Sequence, residues 1–188
     1  LDGDGVNDLA VGAHLDDAGG SNRGAVHIIF MKTDEDLVKS TKEINDSTPN
    51  GPVLADNDYF GVSVANIGDL DGDGVNDLVV GAHQDDAGGS NRGAVHIMFM
   101  NIDGTVKSTK EINQTTTNDL DSLLDNDNFG ASVANIGDLD GNGVIDLAVG
   151  AWLDDGDATD VGALHILFLH ETTKPTVTIT SSSGDSGS

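Results

Sequence analysis

The stretch Asp69-Leu-Asp-Gly-Asp-Gly-Val-Asn-Asp77 decides how this chain folds, because it sets four carboxylates close together with glycines between them. Carboxylates this close repel one another unless a cation lies among them, and Ca²⁺ takes about six to eight oxygen ligands in a flexible cage. The apolar run Leu78-Val-Val-Gly81 follows at once and is typical of a buried strand. The pattern predicts a calcium-binding hairpin turn. Its expected ligands are the side chains of Asp69, Asp71, Asp73 and Asp77 and the backbone carbonyl of Val75.

The acidic stretch occurs three times on a fixed period, since Asp2, Asp71 and Asp140 are separated by 69 residues each. A period of this length indicates a repeat architecture. The third copy carries Asn142 in place of one carboxylate, and the first copy, Leu1 to Asp8, lacks the first ligand position. We expect two to three Ca²⁺ ions, about one per copy, bound most tightly by the second copy and most weakly by the first. The expected ligands of the outer copies are Asp2, Asp4, Val6 and Asp8, and Asp138, Asp140, Asn142, Val144 and Asp146, each valine through its backbone carbonyl.

Two other interpretations of these loops fit the residues less well. Solvated turns favour Asp and Gly, but they do not need four carboxylates with no basic residue beside them. An EF-hand needs a Glu at the twelfth loop position, and that position is Val80, in a strand-like run. The ion is expected to be structural, because a catalytic metal needs an open coordination position beside a base and the loops supply no base.

The chain is strongly acidic, with 33 Asp and Glu against 8 Lys and Arg and a formal net charge of −25. Nucleic acids and anionic membranes are bound through basic patches, so neither is an expected partner. No apolar run approaches the roughly 20 residues of a membrane helix, and no membrane insertion is expected. Cysteine is absent, and no Ser has a His–Asp pattern nearby, so we do not expect an enzyme.

Each repeat predicts four short antiparallel strands separated by Gly, Asp and Asn turns, and no segment has a sustained helical period. In the second repeat the strands are Tyr59–Ala65, Asp77–Ala82, Gly93–Met100 and Thr105–Ile112. The predicted fold is therefore all-β, with about three four-stranded units. The units are residues 1–58, which lack the first strand, 59–127 and 128–170. Residues 171–188 contribute a last strand, Thr176–Thr180, and a Ser/Gly linker from Ser181 to Ser188.

Three linked motifs resemble the FG-GAP repeats of integrin α-subunits and related surface proteins. They are the acidic loops, the Phe-Gly pairs at Phe60 and Phe129, and the Val-Gly-Ala runs that begin at Val80 and Val149. The resemblance covers nearly the whole chain up to about Leu169. It implies a β-propeller with one four-stranded blade per repeat, calcium between the first and second strands of each blade, and an extracellular or cell-surface location. The proline that ends the family motif is replaced by His14, His83 and Trp152.

The number of blades leaves three arrangements open. Propellers close with about four to eight blades, and this sequence supplies about three. It is part of a larger propeller, or several chains complete a ring, or units stack head to tail. In the last case the C-terminal strand of one chain fills the vacant first-strand place of the next, by strand addition at an exposed edge.

Several other residues have less specific interpretations. The acidic pairs after the second strand, at Asp16, Asp85 and Asp154, read as turn residues or as a secondary cation site, and Asp56, Asp58, Asp125 and Asp127 as turn or capping residues. The strand histidines His27, His96 and His165 are repeat equivalents on separate blades, too far apart to share an ion, and are expected to face polar neighbours. Asn45 and Asn113 begin glycosylation acceptor patterns, expected to face outward after the polar fourth strand.

The function that these observations favour is that of a calcium-binding extracellular or cell-surface β-repeat protein with a structural or adhesive role. Expected partners are other copies or segments that complete the β-structure, and a protein or glycan ligand. Two alternatives stay open: a non-catalytic carrier module of a larger extracellular hydrolase, and a ligand-binding adhesin propeller.

Overall fold

A computed structural model describes residues 1–117, 120, 122–156, 159–170 and 178–181 of the chain. These residues form three antiparallel sheets and no α-helix, which confirms the predicted all-β architecture. No helix that could span a membrane occurs in the described part of the chain. The strands are β1 (Leu9–Ala13), β2 (Ala25–Met31) and β3 (Val38–Ile44) in the first sheet; β4 (Ser63–Gly68), β5 (Asp77–Ala82), β6 (Ala94–Met100) and β7 (Val106–Ile112) in the second; and β8 (Phe129–Gly137), β9 (Asp146–Ala151), β10 (Ala163–His170) and β11 (Thr178–Ser181) in the third.

Each sheet is a meander in which consecutive strands pair. The first sheet has three strands, and β11 pairs with β10 as the fourth strand of the third sheet. The C-terminal strand, for which the sequence left two places open, thus pairs within its own chain. Ser181, predicted to start the linker, ends this strand instead. Thr176, Val177 and the rest of the predicted linker lie outside the described residues.

The middle sheet is apolar on both faces because a neighbouring sheet covers each of them. Every residue of β5 and β6 is buried. One face packs against the first sheet through side chains such as Val80 and Met98. The other packs against the third sheet through side chains such as Val79 and Ile97. The continuous apolar runs in the sequence therefore mark strands buried on both sides.

The outer faces of the first and third sheets are only partly covered. In the first sheet Leu9 is 50% exposed, and in the third sheet Leu164 is 66% exposed. Leu9 lies in β1 and Leu164 in β10, and the equivalent strands of the middle sheet, β5 and β6, are wholly buried. The difference comes from the missing neighbour, since alternate residues of a strand point to opposite faces.

The Phe-Gly pair of each repeat joins successive sheets through the backbone. Phe60 forms a parallel bridge with Gly24, and Phe129 forms the equivalent bridge with Gly93. The Phe60 amide donates to the Arg23 carbonyl of the previous repeat at 3.0 Å. The predicted first strand, Tyr59–Ala65, is therefore wrong at its start: β4 begins at Ser63, because the preceding residues bond to the turn of the previous repeat.

Glycine is required at this junction because two backbones meet there. A Cβ placed on Gly81 would lie 1.9 Å from the Gly130 carbonyl oxygen, and a Cβ on Gly12 would lie 1.9 Å from the Gly61 carbonyl oxygen. Neither oxygen can move away without displacing a whole sheet. The Gly-Ala and Phe-Gly motifs of successive repeats are thus two halves of one contact.

Substituting Gly81→Ala is expected to destabilise the protein by about 3 kcal/mol, the upper range for overpacking a well-packed site. Gly150→Ala is the matched control. Gly150 occupies the same place in the third repeat, but a Cβ there meets the Ser132 hydroxyl at 2.4 Å, and a hydroxyl can rotate away. Urea unfolding of both variants in calcium-containing buffer measures the difference. Equal losses in the two variants would contradict the backbone junction.

Candidate metal centres

The second acidic loop brings three of its four carboxylates together. Oxygen atoms of Asp69, Asp71 and Asp77 lie within 4.8 Å of one another. Calcium–oxygen bonds are about 2.3–2.6 Å long, so ligands on opposite sides of one ion are roughly 5 Å apart. These three carboxylates therefore fit a single Ca²⁺ ion. Asp73, the fourth predicted side-chain ligand, lies outside this group.

The third loop has the same arrangement, with oxygen atoms of Asp138, Asp140 and Asp146 within 4.8 Å of one another. Asn142 donates from Nδ2 to Asp140 Oδ2 at 3.0 Å and to the Leu169 carbonyl at 2.8 Å. Its Oδ1 accepts the Val144 amide at 2.7 Å. The predicted amide ligand is thus placed beside the carboxylates, but both ends of its side chain are engaged by the loop.

The first loop keeps the backbone pattern of the others. Asp2 Oδ1 accepts the Asp4 amide at 3.2 Å, and Asp4 Oδ1 accepts the Val6 amide at 2.9 Å. Asp8 Oδ1 accepts the Met31 amide at 2.9 Å, which ties the loop to β2. Side chains of this loop are candidates for a site, but they form no three-carboxylate group within 4.8 Å among the described residues.

The last Asp of each loop is a buried anchor. Asp77 has no exposed surface, and its Oδ1 and Oδ2 accept the amides of Met100 at 2.9 Å and Leu70 at 2.8 Å. Asp146 makes the equivalent bonds to Leu169 and Leu139. Burial, reinforced by the charges of Asp71 and Asp73, raises the pKa of Asp77 to about 6. A cation beside this carboxylate would favour its charged form.

A buried valine anchors the second loop, and another anchors the third loop. The Val75 side chain packs in the core between the first and second sheets, and the Val144 side chain packs between the second and third. Each valine was predicted to offer its backbone carbonyl, and the burial of its side chain fixes the loop at that point. The second and third loops are therefore each held by a buried carboxylate and by an apolar contact two residues before it.

Two lysines reach the acidic loops from the outer strands. Lys107 Nζ lies 2.6 Å from Asp71 Oδ2 and 2.8 Å from Asp73 Oδ2. Lys39 Nζ lies 2.7 Å from Asp2 Oδ2. The hydrogen bond to Lys107 lowers the pKa of Asp73, and the bond to Asp2 raises the pKa of Lys39. The sequence alone does not reveal these contacts, because each lysine lies about 30 residues after its loop, on a strand whose register depends on pairing with a neighbouring strand.

Substituting Lys107→Met is expected to raise the Ca²⁺ affinity of the second loop several-fold, because an ammonium group no longer occupies two of its carboxylates. Lys110→Met is the matched control, since Lys110 is an exposed residue of the same strand and its loss changes the net charge equally. Calorimetric titration of Ca²⁺ into both variants measures the effect. The same gain in both would assign it to net charge and contradict a local role.

Other acidic residues singled out in the sequence accept hydrogen bonds from backbone amides in turns. Asp16, Asp85 and Asp154 each accept the amide two residues later, which confirms them as turn residues. Asp58 Oδ2 accepts the Ala55 amide at 2.6 Å, and Asp127 Oδ2 accepts the Leu124 amide at 2.6 Å. Burial raises the pKa of Asp58 to about 7.

The glycosylation acceptors do not face outward, so the predicted orientation is wrong. Asn45 and Asn113 are buried at the ends of β3 and β7. Asn45 Nδ2, the atom that would carry the sugar, donates to Glu43 Oε1 at 2.6 Å, and Asn113 makes the equivalent bond to Glu111. Each side chain turns back because its Oδ1 accepts the amide two residues later.

The residues that replace the family proline line up across the sheets. His14 lies 6.1 Å from Tyr59, Tyr59 lies 5.4 Å from His83, and His83 lies 6.5 Å from Trp152, measured between ring centroids. Trp152 is 62% exposed. This aromatic row follows the C-terminal ends of β1, β5 and β9, whereas the acidic loops precede β5 and β9.

Comparison with known proteins identifies the same repeats. The FG-GAP repeat family matches residues 1–29 and 60–98. The chain is 33% identical to integrin alpha-4 of Xenopus laevis over 156 residues, which is 82% of this chain and 14% of that protein. It is 35% identical to integrin alpha-11 of Homo sapiens over 152 residues, 80% of this chain and 12% of that protein. It is 38% identical to integrin alpha pat-2 of Caenorhabditis briggsae over 122 residues, 64% of this chain and 9% of that protein.

The chain thus spans less than a sixth of the length of these relatives. The likeness extends over most of this chain, whereas the family match covers only parts of the first and second repeats. The third repeat is identified by its own loop, its Phe-Gly pair and its sheet, which repeat those of the second.

Proposed function

This chain carries FG-GAP repeats, and on that premise we propose that it is a calcium-stabilised, non-catalytic segment of a β-propeller with a structural or adhesive role. Its location is extracellular or at the cell surface, where FG-GAP repeats and integrin α-subunits are found. The proposed repeat units are residues 1–58, 59–127 and 128–170, with residues 171–188 completing the third.

The convergence of three carboxylates in each of two repeated loops carries the calcium proposal. In the second repeat the proposed ligands are Asp69, Asp71, Asp73, Asp77 and the Val75 carbonyl. In the third they are Asp138, Asp140, Asn142, Asp146 and the Val144 carbonyl. In the first they are Asp2, Asp4, Asp8 and the Val6 carbonyl. A bound Ca²⁺ supplies positive charge and oxygen coordination to each loop.

Holding the turn between two strands is the proposed role of each ion. The residues already fix the loop backbone: Asp69 accepts the amides of Asp73 and Gly74 at 2.9 and 2.8 Å, and Asp138 accepts that of Gly143 at 2.8 Å. These bonds orient the carboxylates toward a common point at the expense of like-charge repulsion. An ion that binds only the folded state of the chain removes that repulsion and stabilises the fold by mass action.

Calcium is expected to raise the melting temperature of the protein. With dissociation constants of roughly 10⁻⁴ to 10⁻³ M, as in extracellular modules, a tenfold excess of Ca²⁺ over Kd adds about 1.4 kcal/mol per site, or a few degrees for a domain of this size. The double variant Asp71→Asn, Asp140→Asn should lose most of this increase. Scanning calorimetry with Ca²⁺, Mg²⁺ and chelator measures it.

The variant Glu35→Gln is the control, because it removes a charge from an exposed residue outside the loops. It should keep the full calcium effect. An unchanged melting temperature with and without Ca²⁺, together with no heat of binding, would overturn the proposal. An equal effect of Mg²⁺ would contradict the choice of calcium.

Further β-structure is proposed to cover the open faces of the outer sheets. The exposed apolar residues on those faces, such as Leu9 and Leu164, fit additional blades from the same protein or from other copies. A cleft of about 200 Å³ lies beside the edge strand β1, between Leu9 and Val64, and we propose it as the place where a further strand adds. Filling it with the C-terminal strand of another chain would require β11 to leave β10, so we favour a separate segment as the occupant.

One structural feature, the aromatic row, supports an adhesive role. The aromatic row from His14 to Trp152 is a surface on which a glycan ring or an apolar protein side chain can pack. A carrier-module role in a larger hydrolase has no such feature here. Sugar attachment at Asn45 and Asn113 remains a prediction that mass spectrometry decides, and it requires modification before each side chain is buried.

A further inference from the structure

A second group of metal-ligating side chains lies in the middle sheet, at the end of β5 opposite the acidic loop. Ligand atoms of Asp85, His96 and Glu111 lie within 4.8 Å of one another. They come from three successive segments: the turn after β5, the strand β6 and the strand β7. The group is separate from the calcium loop, whose Asp77 begins β5.

The fold positions each of the three side chains. His96 and Glu111 are directly opposed in the antiparallel pair β6–β7, so their side chains share one face of the sheet. Asp85 Oδ1 accepts the Ala87 amide at 2.7 Å, which leaves Oδ2 for another partner. The Asn113 amide donates to Glu111 Oε1 and orients that carboxylate. Such outer hydrogen bonds are typical of metal ligands.

His96 is the observation that points to a ligand. It is 1% exposed, and neither Nδ1 nor Nε2 has a hydrogen-bond partner among the residues that the structure describes. The ring of Phe60 meets it edge-on at 5.4 Å between centroids, and this contact keeps water from that side. Buried polar atoms in native structures nearly always have partners, and each exception needs an explanation. Burial lowers the pKa of His96 to about 4, so the ring is neutral and has a lone pair to donate.

In the described part of the chain, neither carboxylate forms an ion pair with a basic group. Burial raises the pKa of Asp85 and, together with the charge of Asp85, that of Glu111. Asp58 lies close enough for both carboxylates to raise its own pKa. The neighbourhood therefore combines buried acidic groups with an unpartnered imidazole, and a cation satisfies both.

We propose that Asp85, His96 and Glu111 bind a divalent transition-metal ion of the zinc class. Imidazole nitrogen with carboxylate oxygen is a ligand set that Zn²⁺ accepts, whereas Ca²⁺ prefers oxygen alone. Glu111 is half-buried, so the ion has a path from solvent and a water can complete its coordination. Because its ligands come from the β5–β6 turn, β6 and β7, the ion ties these segments together.

The other repeats offer internal comparisons. Asp16, His27 and Glu43 are the same residue types at the equivalent positions, but Glu43 is exposed and His27 only half-buried, because no sheet covers that face. In the third repeat His165 Nε2 lies 3.5 Å from Asp154 Oδ2. The position opposite His165 falls beyond Ser181, outside the described residues.

Zinc binding by the protein in saturating Ca²⁺ tests the proposal. Calorimetric titration with ZnCl₂ and the zinc retained after dialysis give affinity and stoichiometry, and the visible absorption of the Co²⁺-substituted protein reports the ligand field. We expect one ion per middle sheet. His96→Gln and Glu111→Gln should each weaken zinc binding by at least about tenfold, the lower range for loss of a group that supports a metal. The matched control His27→Gln should leave it unchanged.

Three results would overturn the proposal: no stoichiometric zinc in the unmodified protein, unchanged affinity in the His96 and Glu111 variants, or an equal loss in the His27 variant. Circular dichroism checks that each variant folds. If His96→Gln fails to fold, the zinc affinity of Glu111→Gln tests the proposal alone. That substitution keeps a side-chain oxygen that can accept the hydrogen bond from Asn113. The Ca²⁺-dependent melting shift of the same variants stays a separate readout, so failure here leaves the calcium proposal standing.

Discussion

The contact on which the structure depends is the meeting of two backbones between successive sheets. Gly81 lies against the Gly130 carbonyl, and Gly12 lies against the Gly61 carbonyl, so closely that neither glycine can carry a side chain. The Ser63 hydroxyl adds a hydrogen bond to the Gly130 carbonyl at 2.8 Å. Because this contact sets the distance between sheets, it also sets the space that Phe60 and Phe129 fill. The Gly-Ala motif of one repeat and the Phe-Gly motif of the next are therefore both required by the same backbone contact between neighbouring repeats.

Charge is the second constraint on this fold. At a net charge of −25 the carboxylates repel one another, and the structure limits this repulsion in three ways. Most carboxylates stay exposed, a few cap turns through backbone amides, and the rest converge in the acidic loops. Lys39 and Lys107 lie over two of these loops, whereas the third loop has Asn142 in that role. The repeats thus share one loop backbone but differ in whether a charged lysine or a neutral amide lies against the carboxylates. This difference gives otherwise equivalent sites a physical reason to differ in affinity.

Position within the array matters as much as residue identity. His27, His96 and His165 occupy equivalent places, yet only His96 and His165 lie on faces that a preceding sheet covers. Phe60 and Phe129 meet these two histidines edge-on at 5.4 Å. The same asymmetry explains why Leu9 is exposed although the middle strands are wholly buried. Whether an aromatic ring covers the strand histidine of a repeat therefore depends on its position relative to the preceding sheet.

The sequence alone determined the class of fold, the number of units, the acidic loops and the family, because these follow from local chemistry on a 69-residue period. Alternating and continuous apolar runs marked the strands, and the spacing of Asp69, Asp71 and Asp77 marked the turn. Only the tertiary structure decided which residues from distant strands meet. It placed Lys107 over Asp71, Glu111 beside His96, and the buried amide of Asn113 against Glu111, and it moved Phe60 and Gly61 out of their predicted strand. Each of these depends on strand register or on the packing of a neighbouring sheet, and neither can be read from the local spacing of residues.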